Sequence, residues 1–171
     1  MQGRAVTSKS DRNMLAFIEK GLEPAYVLLP PAMRSREATA MILAICLQES
    51  RFLHRRQIGG PARGYAQFER GGGVAGVLRH YATGEIAEEV CAARGVAPEP
   101  GPVHAALEHD DVLAAAFARL LLWTDPAPLP KYPDGPDAAW RYYLRNWRPG
   151  KPHRETWDDL WERAWGVAHA R

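Results

Sequence analysis

The stretch SREATAMILAICLQES, residues 35–50, decides the fold of this chain. Ser35 is a residue type that caps helix N-termini, and the charge of Glu37 favours a first helical turn. Apolar residues then recur with the helical period, at Ala38, Met41, Ile42, Ile45 and Cys46. We therefore predict a helix over residues 35–51 that buries this stripe.

A carboxylate occupies the next position on the same stripe. Continued at roughly 100° per residue, the buried line reaches Glu49 near the end of the helix. Burial disfavours the charged form of a carboxyl group and raises its pKa, a property that suits a general acid near neutral pH. A structural ion pair with a nearby arginine explains this position equally well.

Length and composition indicate an ordinary globular protein. The chain has 171 residues, 46% hydrophobic and 25% charged, which fits one domain with a sizeable core. A formal net charge of +2 is too small to indicate a dedicated nucleic-acid binder. We predict a flexible tail over residues 1–9 and a single domain over residues 10–171.

The cysteines and the N-terminus indicate in which cellular compartment the protein is made. Cys46 and Cys91 fit reduced, buried thiols better than a disulfide framework, although a single bridge is the alternative. The N-terminus lacks the apolar segment of a signal peptide, and no apolar run reaches the roughly 20 residues of a membrane helix. We expect synthesis in the cytoplasm without a signal peptide and no stable membrane insertion.

Further helices follow from periodicity and from glycine and proline positions. We predict helices over residues 13–20 with Gly21 as the stop, 74–81, 86–94, 110–123, 138–147 and 156–169. The segment 110–123 has Arg119 as the only charge between Val112 and Trp123 and is the expected central buried helix. Prolines predict loops over 98–102 and 126–136. Within residues 53–70 we predict a turn at 59–61, and we expect the last part, residues 64–69, to be extended or hairpin-like. The predicted fold class is mainly α, with long Gly- and Pro-rich loops and at most a small β-hairpin.

Two short motifs together resemble a known superfamily. Glu49-Ser50 at a helix end, followed by Gly64-Tyr65-Ala66-Gln67, resembles the lysozyme-like superfamily, in particular soluble lytic transglycosylases and goose-type lysozymes. The wider run over residues 48–64 is similar to small lysozyme-like proteins encoded by bacteriophages and prophages. The resemblance covers roughly residues 35–80 and implies a single lysozyme-like helical domain.

The resemblance also implies a reaction. Its members cleave the glycosidic bond between N-acetylmuramic acid and N-acetylglucosamine in peptidoglycan strands, without a cofactor. Glu49 would be the general acid that protonates the glycosidic oxygen. In lytic transglycosylases the same residue then acts as the base on the muramoyl 6-hydroxyl, so a second carboxylate is not required. Lytic transglycosylase and hydrolytic muramidase both remain open.

Residues of the two motifs are the first candidates for substrate binding. Ser50 would orient the carboxyl group or contact substrate; a hydrogen bond at the helix C-terminus is the alternative. Gly64 would let the backbone of the turn approach the sugar, next to Tyr65, and Gln67 would present an amide to an N-acetyl or hydroxyl group. A simple connector is the alternative for this turn.

Charged side chains near the motifs are further candidates. Glu69 is a possible second carboxylate, which would allow an inverting hydrolase with a water between two acids; a solvated or arginine-paired glutamate is the alternative. A rim of arginines would attract the anionic groups of peptidoglycan, with Arg56 as its predicted binding residue. This rim consists of Arg51, Arg55, Arg56 and Arg63. Pairing of Arg56 or Arg63 with a carboxylate is the alternative.

The superfamily's third motif, an Ala-Tyr-Asn-x-Gly-like stretch, is not found in that form. The nearest substitute is WRYYLRNW, residues 140–147. Tyr142 or Tyr143 would fill the role of the tyrosine that approaches the catalytic acid. Core packing is the alternative for one of the two.

Other classes of function receive less support. The six histidines show no metal-binding spacing, and we expect no metal site. A non-catalytic phage structural or cell-wall-binding protein with the same fold is the main alternative, and a small nucleic-acid-binding domain that uses the arginine cluster is another. We expect a monomer that binds glycan strands and no nucleic acid. It would reach the cell wall through a holin or as part of a phage particle.

Overall fold

The computed structural model describes residues 7–171, and the predicted mainly helical domain is confirmed across them. The α-helices, numbered in chain order, are α1 Lys9–Phe17, α2 Glu23–Leu28, α3 Arg36–Ser50, α4 Ala75–Arg79, α5 Gly84–Arg94, α6 Pro100–Ala106, α7 Asp111–Trp123, α8 Gly135–Trp147 and α9 Arg154–His169. In the described residues, β-type pairing is limited to two isolated bridges, which join Arg63 to Arg56 and to Phe68. These bridges shape the predicted hairpin-like segment.

Helix α3 begins and ends as its sequence indicates. The Ser35 hydroxyl accepts a hydrogen bond of 3.0 Å from the backbone N–H of Ala38. Arg51 ends the helix in the left-handed conformation, with φ at 56°. The apolar stripe describes only part of its burial, because Leu43, Ala44 and Leu47 are also fully buried. Helix α3 therefore lies inside the core, between α9 and α7, and its last turn leaves the core at Glu49.

Helix α7 is the second central helix, as predicted. Asp110 caps it, and α7 packs against α2, α4 and α5 as well as α3. Arg119 is 3% exposed, and its Nε donates a hydrogen bond of 2.6 Å to the carbonyl oxygen of Met33. Its guanidinium also lies over the ring of Trp123, 5.0 Å from the centroid. A backbone carbonyl and an aromatic face thus replace a carboxylate partner.

Two predictions made from glycine and proline are wrong. The first helix does not end at Gly21, because a π-helical turn over Ile18–Leu22 continues α1 into α2. A Cβ at Gly21 would lie 2.8 Å from the Cβ of Asp111, so this glycine permits close packing rather than ending a helix. The predicted proline loop contains α6, since Pro100 lies in a first turn, where the missing N–H costs no hydrogen bond.

One hydrophobic core runs through the chain, from Met14 to Ala168. Helix α9 contributes Trp157 and Trp161, both fully buried, as the period of its tryptophans predicts. Cys46 and Cys91 are buried and free. Most of the predicted tail, residues 1–6, lies outside the described residues; Ser8 caps α1. Among residues 7–171, no helix has both the length and the apolar character needed to cross a membrane.

Candidate active site

A cleft of about 950 Å³ opens at the end of α3, and Glu49 lies in its wall. Three segments that are distant in sequence form most of its wall: the last turn of α3, the chain from Gln67 to His80, and the chain from Tyr143 to His153. Four further residues complete it: Gln57, Ala62, Leu121 and Thr124. Glycines form much of the second segment, and a Cβ atom at Gly71 or Gly76 would meet no other atom within 4 Å. The cleft is therefore wide along this wall.

A tyrosine of α8 holds the Glu49 carboxyl group. The Tyr143 hydroxyl donates a hydrogen bond of 2.6 Å to Oε1 of Glu49. The ring of Tyr143 stacks on Trp157, with centroids 5.1 Å apart and planes 11° apart, and packs against Trp140 at 5.3 Å. Since these rings fix the tyrosine, they also fix the direction from which the carboxyl group is held. Oε2 of Glu49 accepts no hydrogen bond from the described residues and is left for a ligand.

The surroundings of Glu49 favour its protonated form. Burial raises the pKa of the carboxyl group, the hydrogen bond from Tyr143 lowers it, and the charge of Glu69 raises it again. The net result is a pKa above that of an ordinary glutamate. Burial, and then the neighbouring carboxyl group, raise the pKa of Tyr143 far above its usual value, so the phenol keeps its proton and acts as the donor. A raised pKa in an open cleft suits proton transfer to a bound molecule.

Ties between the three segments hold the cleft in shape. The Trp147 Nε1 donates a hydrogen bond of 2.8 Å to the carbonyl oxygen of Ala66, which joins the end of α8 to the turn before the glycine-rich wall. Gln48 Nε2 donates to the carbonyl oxygen of His153 at 3.0 Å, and Thr156 donates to Oε1 of Gln48 at 3.1 Å. The residue before Glu49 thus anchors the loop on the opposite wall.

The Gly64–Gln67 turn closes on itself beside the cleft. Gly64 has φ at 74°, and a Cβ there would lie 2.8 Å from the carbonyl oxygen of Leu107, so packing alone requires glycine at this position. Gln67, with φ at 54°, donates from Nε2 to the carbonyl oxygen of Gly64 at 2.8 Å. Gln67 lines the cleft, whereas Gly64 does not.

Ser50 lies behind the cleft rather than in it. It is 4% exposed, and its hydroxyl contacts the carbonyl oxygens of Cys46 at 3.1 Å and Tyr65 at 2.7 Å. It also accepts a hydrogen bond of 3.2 Å from the N–H of Phe52. These bonds match the alternative of a helix C-terminal hydrogen bond, and they attach the 64–67 turn to the end of α3.

Two of the candidate tyrosines belong to the core. Tyr65 packs edge-on against Phe52 at 5.1 Å, with the guanidinium of Arg55 4.4 Å from its centroid. Tyr142 donates its hydroxyl hydrogen to the carbonyl oxygen of Leu122 at 2.9 Å. Neither lines the cleft, so of the two adjacent tyrosines in α8 it is Tyr143 that reaches Glu49.

The predicted arginine rim does not line the cleft, because its members bind elsewhere. Arg55 forms two hydrogen bonds, of 2.6 and 2.9 Å, with the carboxylate of Asp111. Arg56 pairs with Glu108 at 2.7 Å, and Arg63 lies 3.8 Å from the same carboxylate. Arg51 donates to carbonyl oxygens at the end of its own helix. The alternative of carboxylate pairing therefore describes Arg56 and Arg63, although the carboxylate is Glu108 and not Glu69.

The predicted residue Glu69 lies exposed in the wall of the cleft, close enough to raise the pKa of Glu49. Other residues of the cleft were not predicted as site residues. The cleft also contains Arg79, Asn146, Arg148 and Lys151. No local motif marks them: Arg79 lies at the end of α4, and the other three lie in the last turn of α8 and in the loop that follows it.

Comparison of the chain with protein-family models, curated proteins and solved structures returned no match. Within residues 7–171, His, Cys, Asp and Glu side chains form no group of three that could hold a metal ion.

Proposed function

We propose that this protein cleaves the glycosidic bond between N-acetylmuramic acid and N-acetylglucosamine in peptidoglycan, with Glu49 as the general acid. The observation that carries the proposal is the Glu49–Tyr143 pair: a partly buried carboxyl group with a raised pKa, held from one side at the wall of a large cleft. The resemblance of Glu49-Ser50 and Gly64–Gln67 to the lysozyme-like superfamily supports the same assignment.

The chemistry needs one proton donor that later becomes an acceptor. Glu49 transfers its proton to the glycosidic oxygen while the bond from that oxygen to the anomeric carbon breaks, and the bonding electrons leave with the oxygen. The carboxylate that results then takes a proton from the nucleophile that attacks the anomeric carbon. If the nucleophile is the muramoyl 6-hydroxyl, the product is an anhydro-sugar; if it is water, the product is a reducing end.

The shape of the cleft supports a polymeric substrate. The cleft is open to solvent, and a Cβ atom at Gly71 or Gly76 would meet no atom within 4 Å, so one wall leaves room for bulky groups at these two positions. Gln67 and Asn146 both line the cleft and offer amide oxygens, since the Nε2 of Gln67 and the Nδ2 of Asn146 already donate hydrogen bonds within the protein. We assign these amides to hydroxyl and N-acetyl groups of the glycan. The proposed reaction uses no cofactor. We propose that the protein acts as a monomer and that it is encoded by a phage or prophage.

Digestion of purified peptidoglycan tests the proposal. Wild-type protein, Glu49→Gln and Glu69→Gln are incubated with purified sacculi, and soluble fragments are analysed by mass spectrometry. We expect muropeptides from the wild type and a loss of at least about a hundredfold in Glu49→Gln. Anhydro ends would identify a lytic transglycosylase. Reducing ends would identify a hydrolase, and inactivity of Glu69→Gln would then assign Glu69 as its second carboxylate.

The same experiment separates the main alternative. Co-sedimentation of the wild type with sacculi, without release of any fragment, would identify a cell-wall-binding protein and contradict the proposed enzyme. Fragment release by folded Glu49→Gln at the wild-type rate would contradict the role of Glu49.

A further inference from the structure

Three cations in the cleft lack a carboxylate partner. Arg79, Arg148 and Lys151 line the cleft, are exposed, and form no ion pair with any residue in the described range 7–171. Arg145, which also lines the cleft, differs because its Nε binds the Asp125 carboxylate at 2.7 Å. The three free cations are therefore available to a ligand.

These cations lie on both walls of the cleft. Arg79 is the last residue of α4, at the end of the glycine-rich wall. Arg148 and Lys151 follow α8, on the wall that carries Tyr143. Arg148 has a defined backbone, with φ at 49° and its N–H bound to the carbonyl oxygen of Leu144 at 3.1 Å. Prolines at 149 and 152 further restrict this loop.

The cleft carries a net positive charge when Glu49 is protonated, which is the form that can donate a proton. Its carboxyl groups are Glu49 and Glu69, and the proposed acid is neutral in its active form. One carboxylate then faces three free cations. Such an excess concentrates anions in a cleft and steers them into it. Sugar hydroxyl and N-acetyl groups carry no charge, so an uncharged glycan would leave these cations unused.

We propose that Arg79, Arg148 and Lys151 bind carboxylates of the peptides attached to the glycan, so that the substrate is the peptide-bearing strand. This inference rests on the proposed function and specifies its substrate class. In a peptide-bearing strand the lactyl carboxyl group is used up in an amide bond, and the free carboxylates belong to the peptide. A guanidinium pairs with a carboxylate through two parallel hydrogen bonds, and the ammonium of a lysine adds a point charge.

Three substrates test the inference. Native sacculi keep all carboxylates, sacculi treated with carbodiimide and ammonia carry amides instead, and amidase-treated glycan keeps only lactyl carboxylates. We expect the wild type to cleave native sacculi on the order of tenfold faster than either of the others at low salt. The triple variant Arg79→Gln/Arg148→Gln/Lys151→Gln should cleave all three at the same slow rate.

A control for charge removal replaces an arginine outside the cleft that forms no ion pair within residues 7–171. Arg36 is exposed in the first turn of α3, so Arg36→Gln should discriminate as the wild type does. Equal wild-type rates on native and amidated sacculi would overturn the inference. Rapid cleavage of amidase-treated glycan would assign the cations to lactyl carboxylates and overturn the peptide assignment.

Failure of the function and failure of the inference give different results. If the wild type cleaves none of the substrates, the proposed function fails. Co-sedimentation of Glu49→Gln with native and amidated sacculi still tests the cations. Binding that is on the order of tenfold tighter to native sacculi would support the charge site, and equal binding would overturn it.

Discussion

At the scale of single residues, the side chains around Glu49 determine the orientation and the pKa of its carboxyl group. Tyr142 and Tyr143 are adjacent in α8 and both are buried, yet one donates to a backbone carbonyl and the other to the Glu49 carboxyl group. The hydrogen bond from Tyr143 lowers the pKa of Glu49, while burial raises it more. The carboxyl group is thus oriented without losing its tendency to keep a proton.

The cost of this arrangement predicts a pH-dependent stability. A pKa raised in the folded state means that folded protein binds more protons than unfolded protein, so wild-type stability falls as pH rises from about 4.5 through the raised pKa. Glu49→Gln removes this titration while keeping an acceptor for Tyr143. The free energy of unfolding of the variant minus that of the wild type should therefore be larger at pH 7 than at pH 4.

Urea unfolding at the two pH values measures this difference. The same carboxyl-to-amide change at Glu89, which is exposed in α5 and lies outside the cleft, corrects for the general effect of removing a charge. A stability difference between Glu49→Gln and the wild type that is the same at pH 4 and pH 7 would contradict the raised pKa.

At the scale of elements, local rules predicted the long helices well. Caps and apolar period place α3 and α7 within a residue or two, because N-capping and burial act within one segment. The same rules failed at Gly21 and Pro100. Glycine marks close packing as well as helix ends, and proline is tolerated in a first turn as well as in loops. Which role applies depends on the neighbouring element, which the local sequence does not contain.

The glycine-rich wall gives a prediction at this scale. Gly76 lies exposed in α4 and lines the cleft, and a Cβ atom there would meet no atom within 4 Å. Gly76→Trp should fold and place an indole in the cleft, lowering kcat/KM on peptidoglycan by on the order of a hundredfold through displaced substrate. Initial rates on sacculi, with circular dichroism as the check on folding, measure the effect.

A second glycine offers a matched control for that change. Gly166 is exposed in α9, has the same open space, and is not part of the cleft. Gly166→Trp should keep wild-type activity. Equal activity of the two variants would mean that the substrate does not occupy the glycine-rich wall.

At the scale of the whole molecule, the cleft is made from segments that the sequence keeps far apart. Glu49 and the Gly64–Gln67 turn were assigned to one site because the two motifs together resemble the lysozyme-like superfamily. The choice of Tyr143 over Tyr142 depends on how α8 is rotated against α3 and α9, and no local pattern encodes that rotation. The arginines of the predicted rim were misplaced for the same reason, since Glu108 and Asp111 reach Arg56 and Arg55 only through tertiary packing.

The central claim is that Glu49 donates a proton whose pKa is set by burial and by Tyr143. The pH dependence of kcat/KM on peptidoglycan tests it most directly, because the rate falls as the acid loses its proton. Tyr143→Phe keeps the stacked ring but removes the hydrogen bond that lowers the pKa, whereas Tyr142→Phe removes a hydroxyl outside the cleft. We predict that in the wild type the alkaline limb lies above the ordinary pKa of a glutamate. It should move to higher pH in Tyr143→Phe and stay in place in Tyr142→Phe. An alkaline limb that is unchanged in Tyr143→Phe would contradict the account.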